Sequence, residues 1–178
     1  MKYQFNLIAR CSVIAAAVTA LSLSGSVFGA DAKNKETPAA LDSKDKDFMM
    51  DAAKGGTMEV EMGKMAEQKG TSAEVKKVGK TMVTDHSKAN DQLMALAKKK
   101  GVALDTSRKM EKMDDSKFDH EYLEQIVKDH DKDIAAFEKE AKDGKDADVK
   151  AWAGKTLPTL KKHLQMVKDA QGKVDKKS

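Results

Sequence analysis

In a chain of 178 residues, 35% charged and only 4% aromatic, there is room for one domain of ordinary size, and the composition favours a helical over a β-rich core. Its 33 Lys+Arg and 29 Asp+Glu are interleaved, as in Lys44-Asp45-Lys46-Asp47 and Lys128-Asp129-His130-Asp131-Lys132-Asp133, which leaves no single-sign field for nucleic acid. With one cysteine, Cys11, no Gly-rich phosphate loop and no Ser–His–Asp arrangement, the sequence also argues against thiol catalysis, nucleotide binding and serine hydrolysis.

Residues 1–32 read as a secretory signal peptide. Lys2 and Arg10 open the segment, Ser12 to Phe28 is mostly apolar and small, and the exit site is Ala30-Asp31-Ala32. The run is short for a membrane span and charge follows it quickly. Cys11 precedes the apolar run, where a lipoprotein acylation site would follow it. Export places the mature chain in the periplasm or at the outer membrane of a Gram-negative bacterium. Residues 33–42, with Pro38, read as a disordered leader.

Residues 43–172 are expected to form an all-α four-helix bundle. The first helix spans about Ser43 to Lys69, with Phe48, Ala52, Gly55, Glu59, Met62 and Ala66 on one face. Gly55-Gly56 in its interior predicts a bend, a close helix contact or a break. Gly70 stops it, and Thr71-Ser72-Ala73-Glu74 opens the second helix as a capping box, so the two fold back as a hairpin. The second helix carries Val75, Val78, Met82, His86, Ala89, Leu93 and Leu96 on one stripe and ends at Lys98-Lys99-Lys100-Gly101.

The stretch from Val102 to Lys117 is an extra short helix, from Asp105 to Met113, or a long loop. It either crosses to the far end of the bundle, as in ferritin-like proteins, or folds back in an up-and-down topology. The third helix runs to about Lys142 with Phe118, Tyr122, Ile126, His130, Ile134 and Phe137 in line. The fourth runs from about Asp146 to Gln171 with Val149, Ala153, Leu160, His163 and Val167 in line, interrupted by Pro158. Residues 173–178 are expected to fray.

Glu59, His86, His130 and His163 thus each occupy the apolar stripe of a different helix. In an up-and-down bundle a rise of ~1.5 Å per residue places all four within a band of ~10 Å along the axis. Three imidazoles and a carboxylate in a dry interior suit a divalent transition metal, with zinc, iron and copper equally compatible. Asp85, Glu61 and Asp129 are candidates for orienting the ring N–H groups. Two other readings fit the same pattern: interior histidines satisfied by hydrogen bonds, and a pH-responsive cluster. Met58, Met62 and Met65 have soft-ligand spacing for cuprous copper, although core packing explains them as well. The residues three before the histidines are Val83, Val127 and Leu160, so the Glu-x-x-His pairs of di-iron bundles are absent and an enzyme of the ferritin-like type is disfavoured. His120, off the stripe, is expected to be exposed.

Several of these motifs, in this order, resemble a bacterial envelope family, the domain of unknown function 4142. They include Met58-Glu59-Val60-Glu61-Met62-Gly63-Lys64-Met65-Ala66, Met82-Val83-Thr84-Asp85-His86-Ser87, Val127-Lys128-Asp129-His130, Phe137-Glu138, and Thr156-Leu157-Pro158-Thr159-Leu160 followed by His163-Leu164. The resemblance covers about Asp47 to Val167. It implies an exported or outer-membrane protein with a ferritin-like bundle, and it implies no established reaction. His86, His130 and His163 match histidines of the family pattern. One departure is Ala103-Leu104-Asp105, where the family often has a proline. The expected function is therefore a non-enzymatic envelope protein serving in stress tolerance or surface interaction, with a peripheral envelope component or a protein as partner. The alternative is a periplasmic metal-binding protein using the His/Glu cluster.

Overall fold

A computed structural model describes residues 41–107, 110 and 112–176. The signal peptide, nearly all of the leader and the last residues of the tail lie outside the described residues. Helix α1 spans Ser43–Lys69, α2 Ala73–Lys100, α3 Phe118–Asp143 and α4 Ala147–Val174. No strand occurs among the described residues.

Three of the four helices begin where the sequence supplies a side-chain acceptor for free N–H groups, and α3 instead follows directly on a 3₁₀ turn. Asp42 caps α1 through Lys44 N, Ser72 caps α2 through Val75 N, and Asp146 caps α4 through Asp148 N and Val149 N. Gly101 ends α2 with φ 67°, the left-handed conformation that glycine adopts without a Cβ penalty. Helix α1 continues through Gly55-Gly56 without a break, and α4 continues through Pro158. Of the candidate short helix from Asp105 to Met113, no helical residue occurs among the described residues. The described residues there are irregular, ending in a 3₁₀ turn at Asp115–Lys117.

The connection is a crossover. At one end of the bundle Asp119, in the first turn of α3, accepts Thr71 N at 2.9 Å, Thr71 Oγ1 at 2.7 Å and Ser72 N at 2.8 Å from the α1–α2 turn. At the other end Asp45 accepts Lys145 N and Asp146 N from the α3–α4 turn, and Lys100 pairs with Asp146 at 2.6 Å. Residues 101–117 therefore travel the length of the bundle. Asp105 N contacts Met50 Sδ of α1 on the way. Helices α1 and α2 form one hairpin and α3 and α4 the other, with α1 packed on α3 and α2 on α4. This is the ferritin-like arrangement with one long crossover.

Helices α1 and α2 touch at Gly63 and Gly79. A Cβ on either would stand 2.7 Å or 2.6 Å from the other's carbonyl oxygen, so hydrogen alone fits there.

The apolar interior falls into layers. One contains Met58, Met62, Val78, Met82, Tyr122, Ile126 and Val167; toward the other end lie Met49, Leu93 and Val149, with Phe137, Ala153 and Leu160 beside them. Phe48, Phe137 and Trp152 form an aromatic trio, with Phe48 and Phe137 4.9 Å apart. By position along α2, α3 and α4, His86, His130 and His163 lie between these layers, and on α1 Glu59 lies beside Met58 at the edge of the first.

Candidate metal centre

The crossover brings the four stripe residues closer in level than an up-and-down chain would. The end of α1, the start of α2, the start of α3 and the end of α4 now share one end of the bundle. At ~1.5 Å per residue, Glu59 lies ~15 Å from it, His86 ~20 Å, His130 ~18 Å and His163 ~17 Å.

The side chains meet. Ring centroids are 5.5 Å apart for His86 and His130, 5.2 Å for His86 and His163, and 5.4 Å for His130 and His163. One nitrogen from each ring lies within 4.8 Å of the other two, and all three residues are buried.

Hydrogen bonds on the outer side of the cluster fix the tautomers of two rings. His130 Nδ1 stands 3.1 Å from the Ile126 carbonyl, which can only accept, so Nδ1 carries the proton. His163 Nε2 stands 2.9 Å from Asp85 Oδ2, a carboxylate, so Nε2 carries the proton there. The remaining nitrogens, His130 Nε2 and His163 Nδ1, face each other at 3.3 Å. In neutral rings both would present lone pairs. A buried pair of this kind needs a cation between them, a proton or a metal. His86 Nε2 is buried with no hydrogen-bond partner.

Glu59 belongs to the outer side as well. Its Oε2 is 3.1 Å from His86 Nδ1 and its Oε1 is 3.0 Å from His130 Nδ1, ion-pair distances without an aligned ring N–H bond. The carboxylate expected as a ligand thus spans the Nδ1 atoms of two rings and leaves their Nε2 atoms free. Asp85 orients His163 as its position beside the stripe implies. Glu61 does not join the cluster: two residues from Glu59 is about 200° around the helix, and its side chain is exposed. Asp129 is bonded to Gln125 Nε2 at 3.0 Å. Met58 and Met62 are buried within an apolar layer, with Met65 packed against it. His120 is exposed.

Electrostatics agree with one positive charge in the cluster. Burial opposes ionisation of Glu59, but the His86 field and the His130 contact hold its carboxyl below the usual range. Burial would also lower His130, but the Glu59 carboxylate raises it above an ordinary histidine. Burial pushes His86 down to about 4 and lowers His163. Among the three rings, protonation is therefore favoured most at His130, beside Glu59.

One acidic neighbour of the cluster was missed from sequence. Asp133, one turn beyond His130, is held up to about 7 by burial and by the negative field of Glu59. Its i, i+3 spacing from His130 was the available signal, but that spacing acquires meaning only once α1 is known to pack on α3.

Fold and site together define a ferritin-like four-helix bundle with a buried three-histidine cluster and two orienting carboxylates. The chain belongs to the family described as Domain of unknown function (DUF4142), which matches residues 30–170. A solved structure of a DUF305 fragment from Deinococcus radiodurans is similar over 75% of this chain and 98% of that one, with TM-score 0.64 and 8% identity. At that identity the likeness concerns the fold alone. No curated protein matches the chain.

Proposed function

We propose that this protein is an exported, non-enzymatic metal-binding bundle of the bacterial cell envelope, holding one divalent transition-metal ion on His86 Nε2, His130 Nε2 and His163 Nδ1. The observation that carries this reading is the 3.3 Å approach of His130 Nε2 and His163 Nδ1, with their protons committed elsewhere. Two nitrogens of a tetrahedral zinc site, at Zn–N ~2.0–2.1 Å, stand about 3.3 Å apart. Glu59 and Asp85 supply negative charge behind the rings, the usual support of a histidine ligand. Zinc fits this nitrogen set well; ferrous iron and cupric copper are also compatible with imidazole.

Binding rather than turnover is favoured by the lack of Glu-x-x-His pairs at Val83, Val127 and Leu160 and by the apolar layers on both sides of the cluster. A metal-storing or metal-scavenging role in the envelope is consistent with the signal-like segment at residues 1–32. The test is elemental analysis of the purified mature chain, with thermal melts in the presence and absence of zinc, copper or iron. One equivalent of metal and a raised melting temperature are expected, with ~2.7 kcal/mol of stabilisation at a hundredfold excess over Kd. Substoichiometric metal with unchanged melts would remove the reading.

A further inference from the structure

A cleft of about 600 Å³ opens between α1 and α3, and Glu59 and Asp133 line it. A second cavity, of about 20 Å³, also has Glu59 and Asp133 in its lining, together with His86, Asn90 and Thr156. Ala52 and Phe137 are common to both spaces. Glu59 and Asp133 are therefore the polar residues common to the cleft and to a small cavity that touches a cluster histidine. The small cavity is large enough for one water-sized occupant.

Six carboxylates line the cleft with Lys44, Lys54, Lys132 and Lys139, and four of them differ in burial toward the cluster. Asp51 is exposed, Asp129 and Asp133 are half-buried, and Glu59 is 1% exposed. Gly55, with no side chain, borders the cleft beside Asp133. We infer that the α1–α3 cleft is the path by which a hydrated divalent cation reaches the three histidines, with Asp133 and then Glu59 receiving it in turn. This inference rests on the metal-binding reading. Carboxylates graded inward through low-dielectric walls attract a cation and replace part of its hydration shell before imidazole does. A competing path starts from Asp85, whose side chain is 41% exposed against His163.

The test is stopped-flow loading of the full mature chain with cobalt(II) or zinc, together with chelator-driven release. Two variants address the path. Asp133→Asn keeps the shape and removes the charge. Gly55→Leu fills the cleft mouth, because the first added carbon meets only Asp133 Oδ2 at 3.7 Å. A residue on the path lowers loading and release rates together and leaves Kd nearly unchanged, whereas a purely structural residue changes Kd or the melting temperature. Both rates are expected to fall about tenfold in each variant, with Kd within about threefold of wild type. Unchanged rates in both variants, or a raised Kd with an unchanged loading rate, would overturn the path while leaving the metal site standing. Failure of the wild-type chain to bind metal would remove path and site together.

Discussion

His130 Nε2 and His163 Nδ1 stand 3.3 Å apart in the middle of the bundle, each on a ring whose other nitrogen donates its N–H to a fixed acceptor. In the metal-free protein the Glu59 carboxylate keeps the extra proton on His130. Metal must displace that proton. Zinc affinity is therefore expected to weaken steadily as pH falls from about 8 to about 5, with proton release on binding measurable by calorimetry in buffers of different ionisation enthalpy. Affinity independent of pH would mean that the ion binds elsewhere.

Removing a carboxylate behind the rings should be felt in two different ways. Asp85→Ala frees His163 Nε2 from its carboxylate acceptor and leaves the ring orientation open, so metal affinity should drop about 10–100-fold. Asp85 is partly exposed, and metal-free stability should hardly change. Glu59→Gln removes the counter-charge of a buried imidazolium and should lower metal-free stability by about 3 kcal/mol. Urea melts of both variants, with and without zinc, separate the two effects.

Two glycines on α1, Gly55 and Gly63, call for opposite outcomes. Gly63→Ala, like Gly79→Ala on α2, would drive a methyl group into a backbone carbonyl, and each should cost about 2 kcal/mol or more. Gly55→Ala meets only a terminal oxygen at 3.7 Å and should gain about 0.5–1 kcal/mol from helix propensity. Equal effects at Gly55 and Gly63 in denaturant melts would contradict the assigned helix contact.

At the far end of the bundle, burial and the neighbouring Asp45 carboxylate push Glu140 up to about 7. Asp45 is committed to Lys145 N and Asp146 N. A carboxyl whose pKa is higher folded than unfolded contributes stability below its unfolded value of 4.5, and that contribution is lost as pH rises to about 7. Glu140→Gln should therefore match wild type near pH 4.5 and exceed it in melting temperature above pH 7. A constant difference between the two proteins across that window would contradict the shift.

Helix periodicity was enough to place Glu59, His86, His130 and His163 on buried stripes, because one imidazole or carboxylate in an otherwise apolar row stands out at any helix boundary. Hairpin formation at Gly70 and at Gly144 was equally legible, since short connections leave no other option. What the periodicity could not carry was the azimuth of neighbours. Asp129 and Glu61 sit near the right residues in sequence, yet they turn toward Gln125 and solvent. Asp133 turns toward Glu59 only because α1 lies on α3. The direction of residues 101–117 also depended on contacts distant in sequence, chiefly Asp119 with Thr71 and Ser72. Turn chemistry at Asp105 looked like a helix cap, but its carboxylate accepts from Ser107 N two residues on with no helix following among the described residues, whereas Asp114 caps the 3₁₀ turn that leads into α3.

The most direct measurement is a crystal structure of the zinc-loaded mature chain, with the ion located by its anomalous scattering. The account predicts one internal peak among His86, His130 and His163, ~2.0–2.1 Å from one nitrogen of each ring, with Glu59 still on the Nδ1 side. An interior without a peak in fully loaded crystals, or an ion ligated by other residues, would contradict it.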